Sequence, residues 1–216
     1  MTPLADRCRR GMTLIEISIS VLILAAVIGV PIMLLVSGSR AYAIEAAAAA
    51  ANEAVRQGVD GISARLTTAI SAGILPPANQ SEWIEYNRGI GYQGGAASAS
   101  PGPTERIQFE YSPTDPDDGL DNDLDGLVDE GLVVWIENPG LPGQRRLTLV
   151  DTVPEAQAGE VLGNNLDDNG NGLVDEMGLA FDITTSRVAV CLTIVSPAPD
   201  GSTLVRNLER TVAFRN

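Results

Sequence analysis

The stretch Arg9-Arg10-Gly11-Met12-Thr13-Leu14-Ile15-Glu16 opens onto residues 17–36, where only Ser18, Ser20, Gly29 and Pro31 interrupt an apolar run. As a helix rising ~1.5 Å per residue, these 20 residues span about 30 Å, the thickness of a bilayer's hydrocarbon core. A cleavable secretory signal has an apolar stretch of only about 7 to 15 residues, so the length predicts a membrane-spanning helix instead. Arg7, Arg9 and Arg10 precede the run, and Arg40 is the only base close behind it. The positive-inside rule then predicts a cytoplasmic N-terminus with the rest of the chain facing outward.

Glu16 is the residue an ordinary anchor would lack. A carboxylate inside hydrocarbon costs on the order of 2.5 to 3.5 kcal/mol, less toward the interface, and so calls for a partner. The segment Gly11-Met12-Thr13-Leu14-Ile15-Glu16 resembles the prepilin peptidase site of type IV pilins and type II secretion pseudopilins, with Met12 where that family most often has phenylalanine. The resemblance implies cleavage after Gly11 by prepilin peptidase, methylation of the new N-terminus at Met12, and neutralisation of that amine by Glu16 during subunit assembly. It also implies an inner-membrane, single-pass protein whose partners are other pilin or pseudopilin subunits and an assembly platform. Residues 208–216, closing on Arg215 and Asn216, resemble the ends of W-type minor pilins and J-type minor pseudopilins. A large, loop-rich head also points to a minor subunit, because an abundant one packs against copies of itself everywhere.

Composition narrows the chemistry. The formal charge is −14, and a leader of residues 1–11, itself +2, would leave −16 on removal. Nucleic acid is an unfavourable partner for such a surface. Cys8 belongs to the leader, so Cys191 would stand alone, without an intramolecular disulfide. All 14 bases are arginine, and histidine is absent. That excludes His-dependent triads, lysine Schiff bases, the phosphate-loop lysine and histidine metal sites. What remains is carboxylate chemistry, such as a glycosidase-like pair, but the acids cluster in glycine-rich loops and not around an aromatic sugar platform, so the chain is expected not to be an enzyme.

Past the membrane segment, Ile44, Ala48, Ala51, Val55, Val59, Ile62, Leu66 and Ile70 recur at three- and four-residue spacing, with Glu45, Glu53, Arg56, Asp60 and Arg65 off that stripe. This predicts one helix over residues 12–72, ended by Gly73, Pro76 and Pro77. Pro31 is expected to kink it, and Gly58 and Gly61 to weaken it by about 1 kcal/mol each relative to alanine. Short β-branched or aromatic stretches at 83–92, 106–111, 132–137, 145–150, 179–184, 187–195 and 204–214 predict an antiparallel sheet on the upper helix. In 187–195, Val188, Val190, Leu192 and Ile194 share one face, and Cys191 lies on the other as a small apolar residue. The expected fold is α+β and pilin-like. It comprises a leader (1–11), a transmembrane helix (12–38), an amphipathic continuation (39–73) and a β-rich periplasmic head (74–216) with acidic loops 115–131 and 163–178.

Those loops carry a repeat at a constant offset of 46. Residues 121–130 and 167–176 both read D, x, D or N, x, D or N, G, L, V, D, E. Oxygens of Asp121, Asp123 and Asp125, or of Asp167, Asn169 and Asn171, converge if the chain curls around a point, and the glycine at six permits the turn. The carbonyls of Leu127 and Leu173 fall at position seven, and Asp129 and Asp175 at nine, as ligands directly or through water. Hard oxygen ligands suit calcium, expected here as a structural ion. The pattern resembles EF-hands, dockerins and thrombospondin type 3 repeats, but position twelve is Leu132 or Gly178. The shell is then closed by Glu130 or Glu176, or by a residue of another loop. The first copy, richer in aspartate, is expected to bind more tightly. An alternative reading is a calcium-dependent adhesin or ligand-binding module on a pilin stem, with Trp83, Tyr86, Tyr92 and the glycine-rich segment 89–102 as its surface.

Overall fold

A computed structural model describes residues 13–77, 80–92 and 99–214. Gly11 and Met12, and the closing pair Arg215 and Asn216, lie outside the described residues. The chain divides into two compact units, Met1–Ala43 and Ile44–Asn216.

Helix α1 runs Leu14–Leu66, with Pro31 inside it and not ending it. Its start is capped locally. The Thr13 amide and hydroxyl donate to Glu16 Oε2 at 2.9 and 3.0 Å, and the Glu16 amide donates to Thr13 Oγ1 at 3.3 Å. This is a capping box, in which the orphan amides of the first turn find side-chain oxygens. Within the first unit the large apolar side chains face outward, Leu22 at 72% and Leu35 at 73% exposure among them. The helix is long and apolar enough there to cross a membrane.

In the second unit the helix contributes one stripe to the core: Ala51, Val55, Val59, Ile62 and Leu66 are all buried. The strands form two four-stranded antiparallel sheets where the sequence predicted one. β2 (Trp83–Tyr92), β3 (Ala99–Tyr111), β4 (Gly131–Glu137) and β5 (Arg145–Val153) lie in that order. The second sheet runs β1 (Gln80–Ser81), β6 (Leu179–Ile183), β7 (Arg187–Pro197) and β8 (Thr203–Ala213). Both sheets and the helix stripe meet in one cluster that includes Ile84, Tyr86, Ile107, Val133, Val150, Phe181, Val190 and Leu192. The alternation in β7 places Val188, Val190, Leu192 and Ile194 in that core. Cys191 is also buried, and burial followed by the nearby Glu209, Glu176 and Asp182 charges pushes its thiol up to about 12.

The helix ends at Leu66, six residues before the expected point, because tertiary pairing takes over. The Thr68 and Ala69 amides tighten onto the carbonyls of Arg65 and Leu66. The Ile70 amide then donates to Asn87 O at 3.0 Å, and the Gly89 amide to Thr68 O at 2.8 Å. Ala69 and Ile70 are buried against β2, so the apolar period continues while the backbone has left the helix.

The helix glycines also separate into two kinds. A Cβ on Gly58 would sit 2.6 Å from Val150 Cγ2 and 2.9 Å from Leu192 Cδ2, so this glycine sets how closely the helix approaches β5 and β7. A Cβ on Gly61 would meet nothing within 4 Å. Gly58→Ala is expected to destabilise by about 1 to 2 kcal/mol, overpacking outweighing the gain in helix propensity. Gly61→Ala is expected to stabilise by about 0.5 to 1 kcal/mol. Urea midpoints of the two variants check this; equal shifts would remove the close-approach argument.

Candidate cation loops

The two acidic repeats fall on different connections. The first joins β3 to β4 within one sheet, and the second carries the chain from β5 to β6, across to the other sheet. Their backbones nonetheless repeat as the sequence does. Left-handed φ values recur in pairs 46 residues apart: Gly119 and Asn165, Leu124 and Gly170, Gly126 and Gly172, Asp129 and Asp175. For the non-glycine members this conformation is uncommon and needs holding in place.

Side chains at positions one, three and five do the holding. The Gly126 amide donates to Asp121 Oδ2 at 3.0 Å, and the Gly172 amide to Asp167 Oδ2 at 2.9 Å. The amides of Asp125 and Leu127 donate to Asp123 and Asp125, while those of Asn171 and Leu173 donate to Asn169 and Asn171. In the first loop this curl gathers carboxylate oxygens of Asp121, Asp123 and Asp125 within 4.8 Å of one another. At that separation each like-charged pair repels by about 1 kcal/mol even in water.

Asp129 is outside the group formed by Asp121, Asp123 and Asp125. Asp129 turns back to accept the amides of Asp118 and Gly119, and Asp175 those of Asn164 and Asn165, all at about 3 Å. These bonds close each loop at position nine. Leu127 is buried and anchors its loop to the head. Leu132 lies in β4, and a Cβ on Gly178 would meet Pro154 O at 2.0 Å, so position twelve is given over to packing in both copies.

Position ten points inward instead. Glu130 and Glu176 are 5% and 1% exposed, and each has an Oε2 without a hydrogen-bond partner. Asp121 Oδ1 is a further buried oxygen in this condition. Burial pushes the Glu130 carboxyl up to about 7, reinforced by its hydrogen bond with Asp115 and the charges of Asp115 and Asp125. In the second loop Glu176 Oε1 accepts from the side-chain amides of Asn169 and Asn171.

Two buried acids organise these loops from below: Asp115, which the sequence counts only among the extra acids near the first copy, and Glu160, which it leaves unassigned. Asp115 accepts the Asn122 amide at 2.8 Å and the Glu130 amide at 3.3 Å, and these backbone bonds, the first foremost, hold its carboxyl below the ordinary aspartate range against the effect of burial. Glu160 accepts the amides of Asp168, Asn169 and Asp175 at 3.2 to 3.4 Å. Asp115 lies six residues before Asp121 and Glu160 seven before Asp167, so the constant offset fails here and hides the correspondence. The base of the second loop is tied further by buried Gln157, whose Nε2 donates to the carbonyls of Gly178 and Cys191. Gln80 of β1 exchanges two hydrogen bonds with the Val174 backbone.

Of the aromatic surface considered above, Tyr86 is fully buried, its hydroxyl donating to Glu105 at 2.9 Å, and Arg106 stacks over Trp83. Compared with known proteins, the chain matches no family model, no curated protein and no solved structure.

Proposed function

We propose that this chain is a non-catalytic structural subunit, a minor pilin or pseudopilin, of a type IV pilus or a type II secretion pseudopilus. It waits in the inner membrane with its head in the periplasm, is trimmed after Gly11 by prepilin peptidase, and is drawn into the filament by an assembly platform. The observation that carries this reading is α1. One 53-residue helix leaves its N-terminal apolar side chains without cover inside the chain, yet supplies the core stripe of an antiparallel head. Exposed apolar surface of that extent needs lipid before assembly and neighbouring helices after it.

In this reading calcium braces the head at the acidic loops. The donor set fits a hard divalent ion: clustered carboxylates at Asp121, Asp123 and Asp125, and a buried Glu130 oxygen with no donor of its own. When bound, the ion would neutralise carboxylates that otherwise repel one another.

Glu16 has two roles to separate, capping of the helix and pairing with the amine created at Met12. Glutamine serves a capping box as well as glutamate does but carries no charge. Glu16→Gln and Glu16→Ala are both expected to be processed and methylated normally, seen by intact mass as loss of residues 1–11 and one added methyl group. Both are then expected to fail in assembly. If Glu16→Gln assembles like the wild type, charge pairing is not the reason for this glutamate.

A further inference from the structure

We infer that at extracellular calcium levels only the first acidic loop takes up a cation, and that Asn169 and Asn171 keep the second loop empty by occupying the cation's place with their own amide groups. The inference rests on the calcium reading of the first loop.

The two loops share their left-handed positions and the turn hydrogen bonds at positions one, three and five, although Asp115 anchors one and Glu160 the other. What differs is the chemistry at positions three and five. A carboxylate only accepts hydrogen bonds, whereas a carboxamide accepts with one atom and donates with the other. In the second loop both donors are used on the closing glutamate: Asn169 Nδ2 and Asn171 Nδ2 lie 2.9 and 2.5 Å from Glu176 Oε1. Their Oδ1 atoms meanwhile accept the backbone amides that shape the turn. The loop thereby satisfies its buried carboxylate from within, leaving Glu176 Oε2 as the one buried acceptor over.

In the first loop the same two positions are Asp123 and Asp125, which have no donor to offer Glu130. Two buried oxygens, Asp121 Oδ1 and Glu130 Oε2, remain without partners. Position for position, the first loop carries carboxylates at Asp121, Asp123, Asp125 and Glu130, the first three gathered within 4.8 Å, against Asp167 and Glu176 in the second. A cation entering the second loop must break two charge-assisted hydrogen bonds and rotate both amides, and it gains half the ligand charge. Its affinity there is expected to be at least roughly tenfold weaker.

The test is calcium stoichiometry of the detergent-solubilised full chain by titration calorimetry and native mass spectrometry at about 1 mM free calcium, the range of extracellular modules. One calcium per chain is expected. The pair Asn169→Asp with Asn171→Asp should raise it to two, and the pair Asp123→Asn with Asp125→Asn should reduce it to none with an unchanged far-ultraviolet spectrum. Two ions of similar affinity in the wild type would overturn this inference and leave the calcium reading standing. None in the wild type would overturn both. An unchanged count in the Asn-to-Asp pair would show that the amides are not what keeps the second loop empty. Hydrogen exchange on the wild type alone decides the matter should a variant misfold. Chelation should deprotect residues 115–130 and spare 160–176, and equal deprotection of both loops would refute the proposal.

Discussion

A chain begun at Ala78 is expected to show no cooperative thermal transition, whereas one begun at Ile44 melts as a single unit. The sequence alone places the head at 74–216, which makes residue 78 look like a reasonable start for a soluble fragment. The structure makes the helix from Ile44 to Leu66 part of that head. Val55, Val59, Ile62 and Leu66 are each at most 5% exposed and sit in the cluster shared by both sheets. Burying each contributes about 1.5 to 3 kcal/mol, and four together rival the 5 to 15 kcal/mol by which a typical domain is stable. The same truncation removes the backbone pairing of Ala69 and Leu75 with β2 and the ion pair between Asp60 and Arg210. Circular dichroism melts of the two fragments test this. A sharp transition from the shorter one would mean that the sheets carry their own core.

Removing calcium is expected to lower the melting temperature of the full chain by roughly 3 to 10 °C. At about 10 mM ion and a dissociation constant of about 10⁻⁴ to 10⁻³ M, linkage stabilises by about 1.4 to 2.7 kcal/mol. A domain of this size shifts by about 2 to 4 °C per kcal/mol. The difference should grow with pH. Without the ion, Glu130 has a folded pKa raised from 4.5 to about 7, so its contribution is complete below the unfolded value and is lost as pH rises through about 7. Asp115 is depressed below 3.8, so its contribution is present above that value and lost only as pH falls through its folded pKa. The calcium-free chain is therefore expected to melt highest in mildly acidic buffer, and the calcium increment to widen from about pH 5.5 to 8. Identical melts with calcium and with chelator at pH 7.5 would end the case for a structural ion.

Local features were legible wherever neighbouring residues encode them. The apolar run at 17–36, the stripe through Leu66 and the strand at 83–92 follow from side-chain period, and each appears in the structure. Thr13 and Glu16 also spell a capping box in the sequence, three residues apart ahead of an apolar run. The first half of β3 was not readable, because Pro101, Gly102 and Pro103 argue against a strand, yet Pro101 pairs with Gly89. The two-residue β1 is too short to carry any period.

Sequence by itself determined that an exposed apolar helix leads into a strand-rich head, and that two loops share one curled backbone. Periodicity and turn chemistry are set by residues a few positions apart. Only the tertiary structure decided where the helix stops, how the strands divide between two sheets, and which acids converge. Those outcomes depend on partners far along the chain: Asn87 for Ile70, Val150 and Leu192 for Gly58, Asp115 for Glu130 and Glu160 for Asp175. A backbone amide or a buried carboxylate takes whichever partner folding brings within reach, and no local spacing names that partner in advance.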